Sequence, residues 1–94
     1  MIYYEKANIR VTEEDNLQLW QACENVCYGG RVVMSYSRKD IQIQGAYIAL
    51  PAILPVAFEV EPKVAENLVQ VSVIPGLSFY SIEILYHVGN EIEE

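Results

Sequence analysis

The segment VQVSVIPGLSFYSIEILYHV, residues 69–88, constrains the fold more than any other part of the chain. Val69, Val71 and Val73 alternate with Gln70 and Ser72, and beyond Pro75-Gly76 a second row alternates through Tyr80, Ile82, Ile84, Tyr86 and Val88. Successive side chains of a strand point to opposite faces, so each row predicts a strand with one apolar face. Pro-Gly suits the centre of a type II turn, which is uncommon in two-residue hairpins, so a longer connection is expected. Strands are therefore expected over about 69–74 and 78–88. A lone hairpin is marginal in water, and this apolar face requires further strands and a cover.

TEEDNLQLWQACENVCYGG supplies the cover, as an amphipathic helix over about 13–28. The Thr12 hydroxyl is an N-cap acceptor for a free backbone N–H, with Asp15 in the capping-box position. Glu13, Glu14 and Asp15 favour the positive end of the helix dipole. Gly29 suits a left-handed helix end. Leu17, Trp20, Cys23 and Cys27 recur at spacings of three and four, which is one helical face.

Cys23 and Cys27 are the chain's two cysteines. On that face they extend an apolar stripe, and a free cysteine behaves as a small hydrophobe. The redox alternative meets C-x-x-x-C where thioredoxin-type chemistry uses C-x-x-C. The metal alternative meets a ligand shortage, because a structural zinc takes four ligands and His87 is the one further soft candidate. Two buried, inert thiols are expected, with no cofactor and no metal.

Four further strands complete the expectation. MIYYEKANIRV predicts a strand over about 2–11, with a parity switch near Ala7 that signals a bulge or bend. RVVMSYS and IQIQGAYIAL predict strands over about 31–37 and 41–50, paired as a hairpin through the polar turn SRKD, with Gly45 marking a bulge or close approach. VAFEVE predicts a strand over about 56–60. PKVAENL reads either as a helical turn with Pro62 at its first position or as a loop. The sum is a single α+β domain over 1–94: one amphipathic helix packed on a mostly antiparallel sheet of about five or six strands, in the order β-α-β-β-β-β(-β).

A formal charge of −7, from 13 acidic and 6 basic residues, argues against nucleic-acid partners and anionic membranes and favours basic protein surfaces. No secretory leader pattern is visible, and the apolar stretch AYIALPAILPVAF is too short and too interrupted by proline to span a bilayer, so cytoplasmic residence is expected.

Candidate chemistry is sparse. His87 shares strand parity with Ser81, Glu83 and Leu85, and Glu83 is too far along an extended strand to orient it, so it reads as a polar residue of the outer sheet face. Gly29-Gly30 precedes a strand rather than a helix and reads as a helix stop, not a phosphate loop. Glu59 and Glu61 share a strand face, where a solvated pair is commoner than a catalytic one. Arg38 and Lys39 read as a solvated hairpin tip. No nucleophile, P-loop or dinucleotide motif occurs.

YIALPAILPVAF is different, because an irregular, proline-broken stretch is usually polar. It either plugs one end of the sheet or leaves an apolar patch for a partner, with Ile48, Leu50, Ile53 and Leu54 as the interface. Seven tyrosines and a 52% hydrophobic content agree with association. The functional expectation is a small, acidic, non-enzymatic interaction protein that binds another protein or a second copy of itself. It would serve as an adaptor, an assembly subunit or an inhibitor, the last a class that includes viral and phage inhibitors. The alternative is a small-molecule-binding domain, or a minimal enzyme, with a pocket between helix and sheet.

Overall fold

The computed structural model describes residues 2–27, 33–51 and 57–90. In chain order these form β1 (Ile2–Val11), α1 (Leu17–Val26), β2 (Met34–Ser37), a 3-10 turn (Arg38–Asp40), β3 (Gln42–Gln44), β4 (Tyr47–Ala49), β5 (Ala57–Glu59), α2 (Pro62–Glu66), β6 (Leu68–Pro75) and β7 (Tyr80–Asn90). The class is α+β, as expected, but the strands divide between two antiparallel sheets. One has four strands in the order β1-β7-β6-β2, and the other has three in the order β3-β4-β5.

The β6–β7 hairpin is the spine. Val71, Val73, Ile82 and Ile84 are wholly buried on its inner face, with Tyr80 at its end. Each aliphatic side chain so buried stabilises by about 1.5–3 kcal/mol relative to exposure. The connection is longer than two residues: Pro75 pairs with Tyr80, and the Gly76 N–H donates to the Phe79 carbonyl at 2.8 Å. A Cβ on Gly76 would lie 2.8 Å from the Phe79 ring, so a larger residue there requires the ring to move. The other face of that hairpin end carries a cation–π contact, with the Arg10 guanidinium 4.0 Å from the centre of the Phe79 ring.

β1 runs antiparallel along β7, with Ala7, Ile9 and Val11 opposite Ile84, Ile82 and Tyr80. The irregularity read near Ala7 lies between Tyr3 and Tyr4, where the pairing jumps from Gly89 to His87 and Val88 is left over. Gly89 there has φ +98, a conformation that L side chains rarely adopt.

The helix starts four residues later than its acidic run suggests. The Thr12 hydroxyl accepts from the Asp15 N–H and closes a preceding turn instead. Asn16 is the cap of α1, its side chain accepting from the Leu19 N–H at 3.0 Å. This shift turns the buried stripe. Leu19, Ala22, Cys23 and Val26 face inward, while Leu17 is half exposed. Trp20 packs edge-on against Tyr80, with ring centres 4.7 Å apart. The helix ends with Cys27 as its cap, and Gly29 and Gly30 lie outside the described residues.

Residues 31–50 do not form the expected hairpin. β2 pairs with β6, Tyr36 opposite Val71, and joins the larger sheet. The Ser37–Asp40 capping box reverses the chain. Gly45, at φ +61, then makes a turn rather than a bulge, splitting the expected strand into β3 and β4. β4 pairs onward with β5, placing Ile48 opposite Phe58. PKVAE is helical, as α2, with Pro62 in its first turn. The inner face of the large sheet is thus covered twice, by α1 and by the small sheet with α2. One core cluster joins Cys23 and Val26 to Ile48, Phe58, Val64, Val71 and Ile82. Among the described residues, no helix is long and apolar enough to cross a membrane.

Candidate functional site

The two covers of the large sheet leave a gap on the β1 side. It forms a groove of about 700 Å³ between the sheet's inner face and the β5–α2 junction. Its floor is Ala7 and Ile9 of β1 with Ile84 and Tyr86 of β7. The small side chain at Ala7, opposite Ile84, leaves space above the floor there. Its wall is Val60, Pro62 and Val64, with Ala46 from the β3–β4 turn. That wall is fastened by the Val60 N–H, which donates to the Ala46 carbonyl at 2.8 Å, and by Val64, which is buried in the core.

Glu59 and Glu61 form the acidic rim. Both are exposed. A third carboxylate joins them from β1: the Tyr86 hydroxyl donates to Glu5 Oε1 at 3.0 Å. That hydrogen bond, then burial, then the charges of Glu5 and Glu61 raise the Tyr86 hydroxyl above the ordinary tyrosine value. Among the described residues the one ion pair, Lys6 with Glu83 at 3.7 Å, sits on the opposite face of the sheet. Arg10 is committed to Phe79, and Arg38 donates to the Glu66 carbonyl. The rim carboxylates thus have no salt-bridge partner among the described residues.

The sequence candidates disperse. Glu59 and Glu61, read as a solvated pair, do stand at one site, but as the rim of an apolar groove. His87 lies on the outer face, as expected. Its ring meets Tyr4 edge-on at 5.4 Å, and its Nδ1 accepts from the Gly89 N–H at 3.2 Å. Cys23 and Cys27 are free and buried. Burial, with a smaller push from Cys27, drives the Cys23 thiol up to about 12. Burial also raises Cys27, whose thiol donates to the Val73 carbonyl. Among the described residues no group of three His, Cys, Asp or Glu side chains is placed to hold a metal.

Ile48 and Leu50, expected at an interface, are core residues at 0% and 6% exposure. Side chains so enclosed present nothing to a partner docking on this fold. Their burial follows from the hairpin at Gly45, which turns Ile48 inward against Phe58. Ile53 and Leu54 lie outside the described residues.

Ile9 and Tyr86 escaped notice as site residues because each reads as an ordinary strand position, Ala7 because it read as a bend, and Val64 because its segment read as a helical turn or a loop. A signal existed in Ala7, the one small side chain in an inner row that otherwise carries Glu5, Ile9 and Val11.

Comparison with known proteins found no matching family model, no matching curated protein and no matching solved structure.

Proposed function

We propose that this chain is a non-enzymatic interaction protein that holds a segment of a partner protein in the groove between β1, β7 and α2. The observation that carries this reading is the groove itself: an apolar floor and wall, rimmed by carboxylates without salt-bridge partners among the described residues. Such a surface binds by excluding water from apolar groups and by attracting positive charge. The net charge of −7 steers the same class of partner toward it. Adaptor, assembly subunit and inhibitor are all roles that a module of this kind serves. A second reading rests on size. About 700 Å³ lies within the range of small-molecule pockets, and the lining is largely apolar, so an organic ligand with a cationic group fits the same chemistry.

Selection of displayed random peptides on the wild type and on Ala46→Trp separates the readings. Ala46 is half-buried in a turn, and its contact with Val60 is made by its backbone, so the indole fills the groove without removing that bond. The expected result is peptides that bind the wild type and lose about tenfold or more in affinity on the variant, itself shown folded by circular dichroism. Peptides indifferent to the indole would refute the groove as the docking site. Failure to enrich any peptide, together with displacement of an apolar fluorescent dye by organic amines on the wild type alone, would establish the small-molecule reading instead.

A further inference from the structure

β1 is an edge strand. It pairs with β7 on one side, and among the described residues nothing pairs with the other. At 10 residues it is a long edge, and it is also half of the groove floor. The wall, which includes α2, stands over β7 rather than β1, so the groove faces that edge. A row of unpaired backbone N–H and C=O groups beside an apolar trough is a template for one more strand.

We infer that the groove's occupant is an extended segment of a partner protein that adds antiparallel to β1 and places a lysine or arginine among Glu5, Glu59 and Glu61. This rests on the groove reading above and specifies its ligand. Antiparallel is the orientation of every strand pair described. The alternation of β1 sets the recognition rule. Its inner row is Glu5, Ala7 and Ile9, so the added strand presents, from its N-terminus, an apolar side chain beside Ile9, another beside Ala7, and a cation beside Glu5. The intervening residues lie beside Asn8 and Lys6 on the outer face and are polar. The cation's methylene stem covers the apolar floor, and its head reaches the rim. A second copy of β1 fits poorly. Its inner row carries no cation, so self-pairing leaves the three carboxylates unmatched.

The test uses fluorescein-labelled peptides with the core Ile-Thr-Val-Thr-Lys, read by fluorescence anisotropy against the full chain. Two N-methylated forms are compared, one methylated at Ile, Val and Lys and the other at both Thr. Only alternate amides of an added strand point at its neighbour. One form should therefore lose about tenfold or more in affinity while the other stays within about twofold of the parent. Glu61→Gln should weaken the parent peptide by about two- to fivefold, and Glu13→Gln, which makes the same change in net charge far from the groove, should leave it unchanged. Replacing the peptide's Lys by Glu should abolish binding.

Equal effects of the two methylated forms would overturn strand addition, as would equal effects of Glu61→Gln and Glu13→Gln. If these peptides fail to bind while selected peptides remain sensitive to Ala46→Trp, strand addition falls and the groove reading stands. A dimer in sedimentation velocity that the peptide does not dissociate would assign the edge to a second copy of this chain and overturn the proposal.

Discussion

Chemical access to the two thiols is a direct probe of how α1 sits on the sheet. The perturbation is alkylation by iodoacetamide near pH 8, with and without denaturing urea, quantified by mass spectrometry. Only the thiolate reacts. An ordinary thiol at 9.0 is ionised to about one part in ten at that pH, whereas Cys23, raised by burial to about 12, is ionised to about one part in ten thousand. The reactive population thus falls about a thousandfold before access is considered. Cys23 and Cys27 are 0% and 1% exposed, so the reagent must also wait for the fold to open. Native labelling of Cys23 should be at least about a thousandfold slower than its labelling in urea, and Cys27 should be slowed as well.

The same shift has a pH consequence. The folded chain keeps Cys23 protonated where the unfolded chain has released its proton, so the contribution is whole below pH 9.0 and is lost as pH rises from there toward about 12. Each pH unit in that window removes up to about 1.4 kcal/mol. Burial raises Tyr36 and Tyr80 as well, which adds a loss of the same sign. The stability difference between the wild type and Cys23→Ala isolates the thiol and should shrink across the window. Native labelling as fast as labelling in urea would refute the placement of these residues in the core. A stability difference independent of pH would refute the burial-driven shift.

Three further outcomes follow from the packing, each measured by urea unfolding at neutral pH. Ile82→Ala empties a wholly buried site on the central strand β7 and should cost about 3–4 kcal/mol, a large share of the roughly 5–14 kcal/mol expected for a chain this long. Asn16→Ala removes the α1 cap and should cost about 1 kcal/mol, more than Thr12→Ala, which only loosens the preceding turn. Gly45→Ala finds open space for its Cβ but a backbone at φ +61, and should cost about 1 kcal/mol from conformational strain alone.

The elements that were legible beforehand are those whose signal is local. The alternation of residues 69–88 predicted the β6–β7 hairpin, its longer connection and the inward places of Val71, Val73, Tyr80, Ile82 and Ile84, since side-chain parity along a strand needs no knowledge of the partner; at the start of β6 a register shift buries Leu68 in place of Val69. The burial of both cysteines followed from their helical spacing with Trp20. The helix start was misplaced because Thr12 and Asn16 both carry capping oxygens. Which one caps depends on whether the Glu13–Asp15 turn continues into the helix, and a turn closed by Thr12 does not.

What the sequence by itself determined is therefore the kind of each long element and the inward side of the long strands, because those depend on period and on burial of apolar surface. Which strands pair was decided only in three dimensions. β2 and β3 are joined by a short polar turn and looked like partners, yet β2 closes the edge beside β6, where Met34 and Tyr36 complete a core begun by Val71 and Val73. That choice frees the β3–β4–β5 unit to lie over the inner face and carries Ile48 and Leu50 into the core. It also leaves β1 as an open edge beside the groove. Pairing sums contacts between residues far apart in the chain, and neither side of such a pair carries a local mark of its partner. The Tyr86 hydroxyl meets Glu5, 81 positions away in the chain, for the same reason.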